Sequence, residues 1–217
     1  GNYDLQSTTA SAQANINKAA ISAITGISAN HKTYDGTSTA SLNAGSAGFT
    51  GIVAGDNLTV ATSTANFSDK NAGTGKTVNI TGLSLGGTDA GNYVLASNTA
   101  SNTASITAKT LTATINAQNK VYDAGTSANV SYGDDRLGTD QITVSGTASF
   151  ADKNVGTGKT VTANGLSLSG ADAGNYVLAS TSVADKADIT ARTLNVTADA
   201  QNRIYDGTTT ANVSFGD

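Results

Sequence analysis

Apolar and polar residues alternate in short runs along the whole chain, and no run shows the 3.6-residue period of a helix. Such alternation gives a strand one buried face and one exposed face. Clusters of Gly, Asn, Asp and Ser separate the runs and predict turns. Between residues 110 and 190 the runs predict seven strands, at 110–116, 120–123, 128–132, 141–150, 160–168, 176–178 and 186–190.

Seven short strands joined by turns predict an all-β fold, built from tandem immunoglobulin-like antiparallel β-sandwiches. A β-grasp-like repeat with one crossing helix is the alternative, because residues 15–23 contain Asn, Lys, Ala and Ile and tolerate a helix. Both architectures place the apolar positions of the alternating runs in a core.

Two blocks of sequence occur twice at a constant spacing of 83 residues. Residues 67–78 return as 150–161 with only two changes, and residues 91–95 return unchanged as 174–178. A fixed period of this length indicates tandem domains. The predicted boundaries are 1–19 for the tail of a preceding repeat, 20–108 for the first repeat, 109–191 for the second, and 192–217 for the head of a following repeat. We therefore expect the chain to be part of a longer array.

Composition narrows the class of protein. The chain has 217 residues without Cys, so each repeat must stabilise a small core without disulfides. All 16 acidic residues are Asp, which favours turns and caps over helix interiors. The net charge of −4 is spread out and there is no basic patch, so we expect no nucleic-acid partner. Apolar runs are too short for membrane insertion, and residues 1–20 lack the apolar core of a signal peptide.

Two catalytic or cofactor motifs are imitated without their essential parts. Residues 72–77 read Ala-Gly-Thr-Gly-Lys-Thr, like a phosphate-binding loop, but Lys70 and Lys153 stand where that motif needs its first glycine. An alternating strand follows instead of a helix, which predicts a hairpin turn. His31 is the only histidine, and the chain has neither Cys nor Glu, so zinc sites and histidine-based triads are excluded. We expect no enzyme activity, no cofactor and no catalytic or metal site.

Two weaker chemical interpretations involve aspartates. Asp134, Asp135 and Asp140 lie close in sequence and offer oxygen ligands for calcium, although the first repeat has a loop of different length there. Asp69 and Asp152 stand near recurring Lys and Asn residues, as an acid would in a Lys–Asn isopeptide crosslink. Their polar surroundings favour a turn instead. The sequence leaves calcium binding by the loop aspartates open.

Most aromatic residues recur in register, which indicates core positions. The block Asp-Ala-Gly-Asn-Tyr-Val-Leu matches the start of the sixth strand of immunoglobulin-like domains, where the tyrosine hydroxyl bonds back to the backbone. This predicts that Tyr93 and Tyr176 are buried corners, and that Leu95 and Leu178 fill the core position of the usual cysteine. Phe49 has no counterpart and is the candidate for an exposed contact.

Several blocks together resemble a known family. They are Tyr34-Asp35-Gly36, the two Asp-Lys-Asn blocks at 69–71 and 152–154, the Gly-Asn-Tyr-Val-Leu blocks, and the closing Ile-Thr-Ala-Lys/Arg-Thr-Leu. This combination is similar to the YDG and MBG repeats of large bacterial surface adhesins of the filamentous-haemagglutinin type, exported by two-partner secretion. In the second repeat the motif reads Tyr-Asp-Ala-Gly, with Gly125 one place late, so its turn geometry is left open.

The resemblance implies an extracellular or cell-surface location, further repeats and a stalk that projects a distal binding region. The partners would be the adjacent repeats of the same chain. The alternative is a module that binds host or matrix glycans or proteins, or associates with neighbouring fibres, through loops such as residues 44–56. The junctions at 106–111 and 189–194 contain neither Gly nor Pro, which predicts a stiff connection.

Overall fold

The computed structural model describes residues 1–217 and shows an all-β protein. Its only helical segments are two 3-10 turns, Ala90–Asn92 and Ala173–Asn175. The sandwich-like repeat fold predicted from the alternating pattern is therefore confirmed. The crossing helix of the β-grasp alternative is absent, because Ala19–Ile21 forms a strand in the segment that was to hold it. No helix is long or apolar enough to span a bilayer.

The first repeat contains ten strands: β1 (Ala19–Ile21), β2 (Ala23–Thr25), β3 (Ser28–Ala29), β4 (Lys32–Thr33), β5 (Leu42–Asn43), β6 (Gly48–Thr50), β7 (Thr59–Phe67), β8 (Gly73–Gly86), β9 (Tyr93–Leu95) and β10 (Ala100–Thr107). The second contains β11 (Lys109–Leu111), β12 (Ala113–Ala117), β13 (Lys120–Val121), β14 (Val130–Asp134), β15 (Thr143–Phe150), β16 (Gly156–Ser169), β17 (Tyr176–Leu178) and β18 (Ser182–Thr190). The pair β19 (Thr197–Ala200) and β20 (Val213–Gly216) follows.

Each repeat is built on its own four-stranded sheet. The strand order is β4-β10-β8-β7 in the first repeat and β13-β18-β16-β15 in the second. The long strands pair antiparallel, as predicted. The short strands β4 and β13 instead run parallel to their neighbours. β1 also pairs parallel, with β9. Alternation in the sequence reports which side chains share a face, but it does not report strand direction.

A glycine shifts the alternation halfway along each longest strand. In β8 the inward side chains are Val78 and Ile80, and then Leu83 three residues on. Gly82 lies between them with φ +67°, at a break in the pairing with β7. A glycine in this left-handed region forms a bulge, and the extra residue shifts by one position which side chains beyond it face inward. β16 has the same device at Gly165, φ +63°.

The segment predicted as one strand at 110–116 is two strands. β11 ends at Leu111 and β12 begins at Ala113. The interruption falls at Thr112, whose N–H donates to Asp135 Oδ1 at 2.7 Å rather than to a strand. Leu111 and Ala113 both stay buried, so the alternation that predicted a strand persists across the break.

The chain forms two compact units. Unit 1 holds residues 1–109 together with Gly174–Val177, and unit 2 holds residues 110–173 and 178–217. The core of unit 1 includes Ile21, Leu58 and Tyr93, with Phe49 and Leu95 packed against them. The core of unit 2 centres on four buried side chains, namely Phe150, Val161, Ala187 and Ile189.

Candidate functional site

A lysine ammonium lies under the Tyr-Asp-Gly turn of the first repeat. Lys32 Nζ donates to Asp35 Oδ1 at 2.8 Å, to Thr37 O at 2.8 Å and to Thr39 O at 2.9 Å. Its side chain is only 17% exposed, and the ammonium stands 5.6 Å from the centre of the Phe67 ring. All three donor positions of the ammonium are therefore used inside the domain.

The second repeat rebuilds the same arrangement. Lys120 Nζ donates to Asp123 Oδ1 at 2.8 Å, to Gly125 O at 2.9 Å and to Ser127 O at 3.1 Å, and it lies 5.5 Å from the Phe150 ring centre. We call each such cluster a lysine hub, made of the lysine, the turn it binds and the phenylalanine beneath it.

The chain has a third basic residue in the position of these lysines. Arg203 donates to Asp206 Oδ2 at 2.7 Å and to the hydroxyl and carbonyl of Thr208. Sequence reasoning missed the hub, although a signal was present. A basic residue stands three positions before the aspartate in the Tyr-Asp motifs at 34–35, 122–123 and 205–206, at Lys32, Lys120 and Arg203.

The turn keeps its geometry where the glycine is displaced. Asp35 Oδ1 accepts from the N–H of Thr37, and Asp123 Oδ1 accepts from that of Gly125, each at 2.9 Å. The residue after each aspartate is left-handed, with φ +79° at Gly36 and +63° at Ala124. The displaced glycine therefore leaves the turn geometry unchanged, because Ala124 takes the glycine conformation and carries the strain of its Cβ.

Replacing Ala124 with glycine is expected to stabilise the second repeat by about 0.5–1 kcal/mol. Removing the Cβ relieves about 1–2 kcal/mol of left-handed strain, and the extra freedom of glycine in the unfolded chain offsets part of it. Gly36→Ala is the reverse control, since an added Cβ there meets nothing within 4 Å and only backbone strain enters. Denaturant unfolding of both variants measures the effect. A loss of stability in Ala124→Gly would contradict the strain.

The phosphate-loop look-alike belongs to a second lysine–aspartate pair. Residues 73–76 begin β8, a strand follows, and Lys76 Nζ donates to Asp69 Oδ1 at 2.7 Å. In the second repeat Lys159 binds Asp152 at 2.6 Å. Asp69 and Asp152 also accept the amides two residues on, as turn residues do. These aspartates, considered above for an isopeptide, are each paired with a lysine across a hairpin turn.

The bonds to these carboxylates favour their ionised form. The hydrogen bond from Lys76, followed by that from the Asn71 amide, lowers the pKa of Asp69 below its usual value. Lys159 and the Asn154 amide lower the pKa of Asp152 in the same way. The Lys120 ammonium and the Gly125 amide lower the pKa of Asp123.

We expect stability to fall as the pH is lowered from about 4 towards 2. A carboxylate whose folded pKa lies below its unfolded value of about 3.9 contributes stability that is present above that value and lost as the pH passes through the folded pKa. Urea unfolding at pH 2 to 6 measures this. Asp152→Asn should flatten the profile relative to the parent chain, and an unchanged profile would contradict the assignment of Asp152.

The predicted tyrosine corners are buried, but the bonding of Tyr93 differs from the expected corner. Tyr93 is 3% exposed and Tyr176 is 6% exposed. The Tyr93 hydroxyl donates to Asp56 Oδ2 at 2.5 Å and accepts from the N–H of Val53 at 3.0 Å. The bond to the Asp56 carboxylate raises the pKa of the Tyr93 phenol. Tyr93 therefore fastens the loop at 53–56 instead of bonding to the backbone just upstream.

Three further expectations about side chains need correction. Phe49, expected as an exposed contact, lies in β6 opposite Ile24 and packs against the core of unit 1. The strand β6 turns its ring inward, which the variable loop sequence could not show. Leu95 and Leu178 are half-buried and do not fill a central core position. Both lie in short strands of three residues, each in a two-stranded sheet.

The aspartates considered for calcium are engaged elsewhere. Asp134 accepts from Arg136 Nε at 2.7 Å, and this pairing lowers the pKa of the carboxyl. Asp135 accepts the amide of Thr112. No three His, Cys, Asp or Glu side chains converge in a way that would hold a metal ion. The guanidinium of Arg136 also donates to the carbonyls of Asp140 and Ile142. Arg136 therefore stabilises the loop that contains the aspartates proposed as calcium ligands.

His31 has a structural task that an asparagine performs in the second repeat. His31 Nδ1 accepts from the N–H of Ser105 at 2.8 Å, and Asn119 Oδ1 accepts from the N–H of Asp188 at 2.7 Å. Both residues immediately precede the strand that carries the hub lysine. An acceptor is what this position needs, and imidazole and amide both supply it.

One buried hydroxyl has no partner. Tyr132 Oη is inaccessible and makes no hydrogen bond, while Phe215 stands at the corresponding position 83 residues later. Tyr132→Phe is therefore expected to raise the free energy of unfolding by about 1 kcal/mol, because it removes an unsatisfied polar atom and keeps the ring. Thermal or urea unfolding measures the gain. A loss of more than the experimental error would show that the hydroxyl has a partner in solution.

A recess of about 170 Å³ opens near the strands β1 and β2. Ile21, Ile24, Leu83 and Leu95 supply most of its apolar wall, and none of its lining residues is titratable. Ligand pockets usually measure about 300–1,000 Å³ and contain placed polar groups. The hydroxyls of Ser22, Ser97 and Thr99 supply the polar part of its lining.

Comparison with protein-family models matches the chain to the YDG domain twice, over residues 17–100 and 107–183. The two matches cover most of the chain. No curated protein matches it.

Proposed function

Because the chain belongs to the YDG domain family, with two domains in tandem, we propose that these domains are structural spacers of a bacterial surface adhesin or extracellular matrix fibre. In this role they hold a distal binding region away from the cell. Their partners are the adjacent repeats of the same protein, and their location is extracellular. The repeated chemistry supports a passive role, since the lysines of both hubs and both hairpin turns are bound to aspartates of their own domain.

The junction between the domains carries the proposal. β10 ends at Thr107 and β11 begins at Lys109, so a single residue, Ala108, separates two hydrogen-bonded strands. Upstream, β10 pairs with β4 and β8. Downstream, Leu111 O accepts from the N–H of Ala179 at 2.9 Å. A connection tied on both sides, without Gly or Pro, restricts hinge motion.

Small-angle scattering tests the spacer role. A strand rises about 3.3 Å per residue, so each domain should add roughly 35–45 Å to the maximum dimension of chains with two and four domains. Inserting a Gly-Ser segment after Ala108 is the control, and it should shorten the mean dimension without unfolding either domain. If the maximum dimension failed to grow with domain number, the spacer role would be refuted.

The alternative is a binding module, and one observation favours it. Ile52 and Val53, in the loop 44–56, are 36% and 58% exposed. Such a pair is able to contact a glycan, a matrix protein or a neighbouring fibre. The corresponding loop of the second domain holds the Asp134–Arg136 ion pair instead. A Val53→Asp variant that abolished binding to immobilised glycans or to a second copy of the chain would favour this alternative.

A further inference from the structure

The second Gly-Asn-Tyr sequence is built into unit 1. Residues Gly174–Val177 belong to that unit, and Asn175 is its one fully buried polar side chain, 3% exposed. Asn175 Oδ1 accepts from the N–H of Ala72 at 2.8 Å, and its Nδ2 donates to Asn71 Oδ1 at 3.2 Å. The side-chain amide of Asn175 thus hydrogen-bonds to both the backbone and a side chain of the hairpin turn that precedes β8.

An aromatic contact accompanies these bonds. The rings of Tyr34 and Tyr176 meet edge to face, with centres 5.5 Å apart, and Tyr34 is only 2% exposed. The Lys70 ammonium lies 5.8 Å from the centre of the Tyr34 ring. We call Tyr34, Asn71 and Ala72 together the asparagine seat, because they receive the Asn175-Tyr176 pair.

The second domain carries the same seat in its sequence. Tyr122, Asn154 and Val155 correspond to Tyr34, Asn71 and Ala72. Tyr122 is only half-buried, unlike Tyr34, and Val155 exposes 54% of its surface. In the first domain, Asn92 corresponds to Asn175, and it is exposed. Tyr34 and Ala72, which have a Gly-Asn-Tyr turn against them, are therefore more buried than Tyr122 and Val155, which have none, whereas Asn71 and Asn154 are both exposed.

We propose that Tyr122, Asn154 and Val155 form a docking surface for the Gly-Asn-Tyr turn of a further YDG domain that follows in the same array. This deepens the spacer role and rests on it, since it names the surface that would receive a following domain. In unit 1, a Gly-Asn-Tyr turn contacts the same three positions, and this identifies such a turn as the occupant. An amide donor, a polar side chain and an aromatic face suit an Asn-Tyr pair, and the exposed Val155 adds apolar area to be covered.

The present chain allows a first test with a matched control. Asn175→Ala removes the acceptor of the Ala72 N–H, so hydrogen exchange at that amide should become about tenfold faster. Asn92→Ala changes the equivalent exposed residue and should leave every amide of the hairpin turn unchanged. If Ala72 exchanged at the same rate in Asn175→Ala as in the parent chain, the asparagine seat would be refuted.

The docking surface itself is tested by a chain in which residues 109–191 are repeated after residue 191. The Val155 amide should then exchange about tenfold more slowly than in the two-domain chain, and an Asn→Ala change in the added Gly-Asn-Tyr turn should remove this protection. Unchanged exchange at Val155 would overturn the proposal, as would protection that survives the Asn→Ala change. Scattering on the same chain keeps the two proposals apart, because its maximum dimension can grow without any protection at Val155.

Discussion

Replacing Phe150 with alanine is expected to lower the free energy of unfolding of the second domain by about 3–5 kcal/mol. The ring is 3% exposed and lies in a cluster with Val161 and Ile189, which are almost fully buried. Its removal leaves a cavity that two rigid strands cannot close, and it also removes the aromatic face beneath the Lys120 ammonium. A small domain without disulfides has little stability to spare, so this loss should unfold it near 37 °C.

The first domain provides the matched control for this prediction. Phe67→Ala makes the same change at the equivalent position, where the ring is also 3% exposed, and should destabilise the first domain. Val121→Ala, at a side chain 56% exposed, should have little effect. Hydrogen exchange read separately for the two domains shows which one has opened. A Phe150→Ala chain with the unfolding midpoint of the parent would show that this core is assigned wrongly.

Replacing Lys120 with methionine is expected to lower the free energy of unfolding of the second domain by about 2–3 kcal/mol. Methionine keeps most of the apolar stem and its contact with Phe150. The loss of stability therefore reports the contribution of the ammonium group alone. Without that group the carbonyls of Gly125 and Ser127 lose their donor, and Asp123 loses its counter-charge. The lysine side chain is 16% exposed, so water can replace these bonds only in part.

Two variants separate the hub from a general effect of removing charge. Lys153→Met takes the same charge from an exposed position and should change stability by less than about 0.5 kcal/mol. Lys120→Arg should retain much of the stability, since Arg203 makes the equivalent bonds in the third copy of the motif. Equal losses in Lys120→Met and Lys153→Met, measured by urea unfolding, would rule out a specific role for the hub.

The sequence predicted the strands well where apolar and polar residues alternate clearly, so that a buried and an exposed face can be distinguished. The runs at 141–150 and 160–168 became β15 and β16, with the same residues facing inward at Val144, Phe150 and Leu166. Recurrence in register also identified Phe67, Phe150, Tyr34, Tyr93 and Tyr176 as buried. The same expectation was wrong for Tyr205 and Phe215, which are 91% and 73% exposed, because residues 192–217 form only the two-stranded pair of β19 and β20. Tyr122 and Tyr132 are half-buried.

Other features depended on partners that are distant in sequence. The loop around Phe49 was expected to expose the ring, but β6 pairs with β2 and the ring packs against the core cluster of unit 1. The hydroxyl of Tyr93 found its partners 37 and 40 residues upstream, at Asp56 and Val53. A local motif could predict that Tyr93 is buried, but not which loop its hydroxyl would hold.

By itself, the sequence determined that this protein is all-β and that its domains repeat, because alternation and period are properties of the chain alone. Only the tertiary structure decided that Lys32 and Lys120 close the Tyr-Asp turns, that Ala124 adopts a glycine conformation, and that Asn175 joins the hairpin turn at Asn71. Each of these depends on where a side chain's hydrogen-bond partners come to lie after folding. Residues 71 and 175 are far apart in the chain, and no local pattern of polar and apolar positions specifies that they meet.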